Sequence, residues 1–323
     1  MTGAENLWAI VLAAGEGRRL SPLTLDNRGE AVPKQFCSFR GSTSMLRFAL
    51  MRAERVVPPE RVVTVVAQEQ KRWWSREFAD RPADHLIVQP KNAGTAAGIL
   101  LPLFHVFLQD ALATVLVFPS DHFVEDEAVL EGALRKAAAA VVRSKDRVVL
   151  LGIEPEGADS GYGWIVPEGL EKGASRRVAG FVEKPLPLEA ERLLREGALW
   201  NSFMFAAPAG FLLSLYRRFL PELFGPFVKA LGGSQDRWTS ETLDGLYRNL
   251  PVRDFSTDLL ERAFASLWLV DVPPCGWTDL GTPERVERCM NRFEEDLEIG
   301  LAERIRGRLL TVPQAGEPAK KRA

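Results

Sequence analysis

Apolar residues gather in short continuous runs along the first half of the chain, at Trp8–Ala14, Val62–Val66, Val115–Phe118 and Val148–Ile153. Runs of that length predict strands buried on both faces. Between them Met45 to Val56, Thr95 to Gln109 and Asp126 to Arg143 carry helical patterning, with turn-forming residues in the gaps. Residues 8 to 153 therefore predict a parallel sheet covered by helices. Beyond residue 153 the pattern is mixed: strand candidates at Gly163–Val166, Val178–Glu183, Leu199–Ala206 and Leu267–Val272 are separated by helices and Pro/Gly turns. This predicts a second lobe built onto the same sheet. From Pro283 a charged amphipathic helix is expected to about Leu310, then a disordered tail rich in Pro, Ala and Lys. The expected organisation is one domain over 1–285, with halves at about 1–153 and 154–285, followed by a C-terminal helix and tail over 286–323.

Composition narrows the class. Of the 323 residues, 46% are hydrophobic and 26% charged, the profile of a soluble globular protein. A formal net charge of −2 argues against a nucleic-acid surface, and the basic cluster Lys320–Arg322 reads as a solvated tail. No run approaches the roughly 20 apolar residues of a membrane span. The N-terminal apolar run passes straight into charged residues, unlike a signal peptide. The expectation is a cytoplasmic protein that binds neither nucleic acid nor membrane. Cys37, Cys275 and Cys289 are isolated, which favours reduced thiols over disulfides or zinc.

The candidate chemistry begins where the first strand ends. Gly15 and Gly17 lie in a turn with Arg18 and Arg19, and Lys34 follows about fifteen residues later. Glycines let the main chain approach phosphate oxygens with its N–H groups, and Arg19 and Lys34 would add mobile charge. A P-loop needs a Gly-Lys-Ser/Thr ending that this chain lacks. The dinucleotide fingerprint needs a small residue where Leu20 stands, with Pro22 close behind. A tight strand-to-helix connection without a ligand is the plain alternative.

Ala14-Gly-Glu-Gly-Arg-Arg-Leu20 followed by Pro33-Lys-Gln-Phe36 resembles the signature of the sugar-phosphate nucleotidyltransferases, most closely the mannose-1-phosphate guanylyltransferases. Further segments match in the family's order: Gln89-Pro-Lys-Asn-Ala-Gly-Thr95-Ala-Ala-Gly98, Phe118-Pro-Ser-Asp-His122, Gly161-Tyr-Gly163, Phe181-Val-Glu-Lys-Pro185, Trp200-Asn-Ser202 and Trp277-Thr-Asp-Leu-Gly281. The resemblance covers residues 8 to about 290. It implies an α/β fold: a Rossmann-like mixed, mainly parallel sheet flanked by helices, of the nucleotide-diphospho-sugar transferase type. Larger relatives append a β-helix or an isomerase module, for which too little chain remains here.

The implied reaction joins a sugar 1-phosphate to the α-phosphorus of a nucleoside triphosphate and expels pyrophosphate. By resemblance, the loop Ala13, Ala14, Gly15, Glu16, Gly17 and Arg18 cradles the nucleotide, Arg19 grips the triphosphate, and Lys34 reaches the α-phosphate. Asp121 and Asp279 are candidate Mg2+ ligands, since magnesium takes one or two carboxylates plus phosphates and water. The plainer readings make Asp121 a helix cap and Asp279 a turn residue. Base choice is expected from Gln89, Asn92 and Thr95, although Thr95 could merely cap the helix it begins. Gly163, Glu183, Lys184 and Asn201 are expected at the sugar phosphate, while Trp200 reads as core packing. His122 is expected to support its loop rather than bind metal, and Arg72-Trp-Trp74 to be helix surface and packing.

Four departures from the family's pattern bear on specificity or loop shape: Arg18 stands where many relatives have threonine, Ala14 replaces a frequent glycine, Ala97 replaces a proline, and Phe203 replaces a glycine. GTP and mannose 1-phosphate are the favoured substrates. Glucose 1-phosphate with dTTP or UTP, a heptose phosphate with GTP, and a non-catalytic sugar-nucleotide-binding regulator are the alternatives. The helix after Pro283 is a candidate contact surface for a homodimer.

Overall fold

A computed structural model describes residues 6–17, 20–26, 28–39, 41–79, 81–82, 85–169, 175–231 and 238–294. The first half builds β1 (Leu7–Ala13), α1 (Met45–Glu54), β2 (Val62–Ala67), α2 (Lys71–Glu77), β3 (Leu86–Gln89), α3 (Gly94–Gln109), β4 (Thr114–Pro119), α4 (Glu127–Arg143) and β5 (Val148–Ile153). The second half adds β6 (Gly163–Pro167), β7 (Arg176–Glu183), α5 (Pro187–Arg195), β8 (Leu199–Pro208), α6 (Ala209–Phe219), α7 (Pro221–Leu231), α8 (Ser240–Arg248), β9 (Leu267–Val272) and α9 (Pro283–Glu294). Strand β3 and helix α2 go beyond the elements that hydrophobic patterning alone marked out. The four residues of β3 are too few for a periodicity to be seen.

The described strands form one sheet in the order β3-β2-β1-β4-β8-β5-β9-β7-β6. Strands β1, β2, β3 and β4 are parallel neighbours, as are β5 and β9, while β8 runs antiparallel between β4 and β5. The sheet is thus mixed and mainly parallel, and both halves of the chain contribute to it. β6 also pairs with the start of β8, Trp164 opposite Trp200, so the sheet curls at this side.

Alternate residues of each central strand feed two cores. Ala9, Val11, Val62 and Val66 pack with α1, α4 and α9, whereas Ile10, Val63 and Val65 pack with α3, α6 and α7. This two-sided demand is why the strands are continuous in apolar character. α9 gives Val286, Cys289 and Met290 to the first core. The expected continuation of this helix to Leu310, and the tail, lie outside the described residues.

One junction fixes the start of α3. α3 starts at Gly94, after Ala93 and without a side-chain cap, so Thr95 does not cap it. Thr95 lies one residue inside the helix, and its hydroxyl instead joins the segment after α8. That segment is clamped onto the helix start: Arg253 N–H donates to Ala93 O at 3.3 Å, and Ala96 N–H donates to Arg253 O at 3.1 Å. Gly94 has φ +86°, and a Cβ there would stand 2.2 Å from Arg253 O. Gly94→Ala should therefore destabilise the fold by roughly 2–4 kcal/mol, combining left-handed strain with a backbone clash. Urea unfolding would measure it; a loss under about 0.5 kcal/mol would show that the clamp yields freely.

Candidate active site

The glycine loop leaves β1 and is held from below by two buried glutamines. Gln35 Nε2 donates to Ala13 O at 3.0 Å, Gly15 O at 2.8 Å and Gln70 Oε1 at 3.1 Å, and Gln70 Nε2 donates to Gly15 O at 2.8 Å. The carbonyls of Ala13 and Gly15 are thus anchored, while Gly15 itself is exposed. Gly17 has φ +63°, and a Cβ there would meet Lys34 N at 2.9 Å. The second glycine is thus needed because the Pro33–Phe36 turn packs directly on it. Arg18 and Arg19 lie outside the described residues.

Lys34, only 5% exposed, is the centre of the cluster. Its Nζ pairs with Asp121 Oδ2 at 2.9 Å, donates to the backbone carbonyl of Asp279, and lies 3.5 Å from that of Leu280. Asp121 follows β4 and Asp279 follows β9. Their loops are joined by a two-bond bridge, Phe123 N–H to Thr278 O at 2.9 Å and Thr278 N–H to Phe123 O at 3.0 Å. This bridge brings together two aspartates 158 positions apart in the chain.

Asp121 is not a helix cap; that role belongs to Asp126, whose Oδ1 accepts from Ala128 and Val129 at the start of α4. Although walled in by its neighbours, Asp121 keeps 36% of its side-chain surface open to solvent. Burial pushes its pKa up, but Lys34 and His122 outweigh that and hold it below the usual carboxylate range. Asp279 is lowered in the same way, with burial opposed by His122, Arg285 and Lys34. Its Oδ1 accepts from Gly281 N–H at 2.9 Å, so the turn role is real as well. Both carboxylates are ionised at neutral pH. They are hard oxygen donors suited to magnesium, and among the described residues no third His, Cys, Asp or Glu joins them. Substrate oxygens and water would have to complete a coordination shell.

Three supporting groups carried no role in the sequence reading. Arg285 Nη1 binds Asp279 Oδ1 at 2.7 Å, its Nη2 binds Asp159 Oδ2 at 2.5 Å, and the guanidinium lies 3.9 Å from the Tyr162 ring centroid. Tyr162 OH donates to Asp279 Oδ1 at 3.2 Å. Arg52, buried in α1, forks onto Glu127 at 3.0 and 2.7 Å and reaches His122 O at 3.4 Å, so it holds the Asp121 loop from behind. Arg285 and Arg52 fall on helical faces where one arginine reads as solvated surface; Tyr162 sat inside a recognised motif.

Gly163, Glu183 and Asn201, expected at the sugar phosphate, converge: a Cβ on Gly163 would stand 2.4 Å from Glu183 Oε2 and 3.4 Å from Asn201 Cβ. Burial raises the Glu183 pKa, with Lys184 pulling the other way. Lys184 is exposed, 3.1 Å from Glu183 Oε1, and adopts φ +48°. Phe203 has φ +60°, a conformation that favours glycine, and its N–H is capped by Asn201 Oδ1 at 3.1 Å. Gln89, Asn92 and Thr95, expected at the nucleotide, line one pocket with Ala14 and Gly15. Asn92 links Glu16 Oε1 at 3.2 Å to Gly94 N–H at 2.9 Å. Trp74 and Trp200 are buried, and burial raises the Cys37 thiol to about 12, as packing residues should behave.

A mixed sheet with a glycine loop after β1 and paired carboxylates beyond β4 and β9 defines an α/β enzyme class that handles phosphorylated nucleotides. Residues 8–295 match the nucleotidyl transferase family model, and the chain belongs to that family. It is 32% identical over 279 residues to the xanthan biosynthesis protein XanB of Xanthomonas campestris, covering 84% of this chain and 57% of that protein. It is 29% identical over 292 residues to the mannose-1-phosphate guanylyltransferase of Escherichia coli K12, covering 86% and 58%. The chain thus spans little more than half the length of these relatives. A crystal structure from Thermus thermophilus, described as a mannose-1-phosphate geranyltransferase, superposes with a TM-score of 0.74 at 30% identity over 88% of this chain and 79% of that one. A UDP-glucose pyrophosphorylase complexed with UDP-glucose shares the fold, with a TM-score of 0.58 at 14% identity. No described helix is long and apolar enough to cross a membrane.

His122 supplies a test of this buried cluster. Burial lowers its pKa from 6.5 to about 4 despite Asp121 and Asp279, so the folded ring stays neutral where the unfolded one is charged. The unfolded chain then binds the extra proton between those values, and stability should fall by up to ~3 kcal/mol as pH drops through that window. His122→Asn should flatten this part of the curve, measured by urea unfolding at about pH 7 and pH 4.5. Parallel losses in both proteins would show that His122 does not set the slope.

Proposed function

We propose that the chain transfers a nucleotidyl group from a nucleoside triphosphate, with GTP favoured, to a sugar 1-phosphate, with mannose 1-phosphate favoured. The observation that carries this reading is the meeting of Lys34, Asp121 and Asp279 at one point, flanked by the Gln89 pocket and the Gly163–Glu183–Asn201 group. The names of the guanylyltransferase relatives support the choice of base and sugar.

The chemistry asks little of a general base. A phosphate monoester has a second pKa of about 6, so the attacking oxygen is ionised at neutral pH. It attacks the α-phosphorus, the bond to the bridging oxygen of the β-phosphate breaks, and pyrophosphate leaves with that electron pair. The protein must align the two substrates and neutralise charge. His122, neutral and buried, fits a structural place in such a site rather than a proton-carrying one. Lys34 would face the α-phosphate, and Arg19 would meet the triphosphate. Lys184, exposed at the end of β7, would pair with the sugar phosphate while Glu183 and Asn201 accept or donate to its hydroxyls. The main chain of Ala13 to Arg18 would cradle the phosphates, with Gln89, Asn92 and Thr95 toward the base. Asp121 and Asp279 would hold Mg2+, which when bound offsets the negative charge of the phosphates.

Pyrophosphate release across a grid of nucleoside triphosphates and sugar 1-phosphates with magnesium tests the reading. GTP with mannose 1-phosphate should turn over fastest. Silence on every pair would sink the enzymatic reading, and faster turnover with dTTP or UTP would sink the guanylyl one. Asp121→Asn, which keeps the side-chain shape, should lower kcat by roughly a hundredfold or more while circular dichroism stays unchanged. An active variant would remove Asp121 from the reaction centre.

A further inference from the structure

The nucleotide pocket is closed on one side by residues far from any nucleotide motif. Val252, Arg253 and Asp254, brought in by the clamp on α3, line it opposite Ala14, Gly15 and Gln89. Asp254 is the carboxylate among the lining residues. Its Oδ2 accepts from Thr95 Oγ1 at 2.9 Å and its Oδ1 from Thr257 N–H at 2.9 Å. The same Thr95 hydroxyl accepts from Phe255 N–H at 2.7 Å, and Asp254 N–H donates to Asp258 Oδ2 at 2.7 Å. Each carboxylate oxygen thus keeps a free lone pair while the side chain is held in one orientation. A π-helical turn, Ser256–Leu260, follows directly, a feature frequent at functional sites. Gln89 is 2% exposed, and its Oε1 has no hydrogen-bond partner. The pocket therefore holds one unpaired amide oxygen and a carboxylate with accepting capacity to spare.

That polarity selects among bases. Guanine places N1–H beside its 2-amino group, two adjacent donors that match the two oxygens of a carboxylate. Thymine and uracil offer one N–H between two carbonyl oxygens, which a carboxylate repels. Adenine and cytosine set their amino group beside a ring nitrogen that is itself an acceptor. We propose that Asp254 is the residue that specifies guanine, by accepting from N1–H and the 2-amino group, with Thr95 as the positioning residue that orients it. The inference rests on the guanylyl-transfer reading and names the residue that enforces it. Thr95 acquires a different part from the direct base contact expected of it, and base choice moves partly out of the Gln89–Gly98 segment.

The test compares wild type and Asp254→Asn with GTP, ITP and XTP, mannose 1-phosphate and magnesium. Hypoxanthine lacks the 2-amino group, and xanthine carries an oxygen there that an amide N–H can meet. The GTP-over-XTP ratio of kcat/KM should fall by about a hundredfold or more in the variant, and the GTP-over-ITP ratio by roughly tenfold. Ratios within one preparation do not depend on the folded fraction. Thr95→Val should shift both ratios in the same direction by less, and serves if Asp254→Asn fails to fold. Unchanged ratios, or equal loss of all three nucleotides, would overturn the assignment while GTP turnover by the wild type leaves the guanylyl reading standing. A wild type that prefers dTTP or UTP to GTP would overturn that reading and the assignment with it.

Discussion

The buried ammonium of Lys34 is the interaction on which the rest of the site depends. A cation taken this far from water must be met by full hydrogen bonding and opposite charge, and three loops supply them. The glycine loop packs Gly17 on the backbone of Lys34, the loop after β4 supplies the Asp121 carboxylate, and the loop after β9 supplies the carbonyls of Asp279 and Leu280. One side chain thereby ties together the ends of β1, β4 and β9. Its charge is thereby fixed in position by the fold.

Around that centre the fold accepts local strain. Lys184, Phe203 and Leu280 are the described non-glycine residues with positive φ, each costing on the order of 1–2 kcal/mol. All three adjoin Glu183, Asn201 or Asp279. Neighbouring bonds hold them: Asn201 caps Phe203, whose ring packs edge-on to Phe255 at 6.1 Å, and Leu280 is fully buried. The β5–β8 pairing shifts register between Leu150 and Gly152, close to the same turn of β8. Strain placed beside functional groups and offset by packing elsewhere is the expected signature of a preorganised site.

A second ring of residues, with no chemistry of its own, sets the geometry. Gln35 and Gln70 hold the carbonyls of the glycine loop, Arg52 and Glu127 hold the backbone of His122, and Arg285 holds Asp279. Arg285 also joins the start of α9 to the site through Asp159 and Tyr162. The Arg253 clamp does the same for the base pocket, linking the two halves of the chain across α3.

The mixed sheet, its buried strands and the family's ordered motifs were legible in the sequence because each is local. A strand buried on both faces is apolar throughout, a glycine loop announces its conformation, and Asp121 and Asp279 stand in short recognisable strings. What tertiary structure alone decided is which distant groups meet. The Phe123–Thr278 bridge, the pairing of Arg285 with Asp159, and the hydrogen bond between Thr95 and Asp254 join residues more than a hundred positions apart, some of them on helices whose surfaces look ordinary. An arginine on a helix reads the same whether it faces water or a carboxylate, because its partner is chosen by sheet order and loop path rather than by its neighbours in the chain. The hydrogen bond of Thr95 to Asp254 has that cause: the place of Thr95 at the start of α3 was visible locally, but the carboxylate it meets arrives from the other half of the fold.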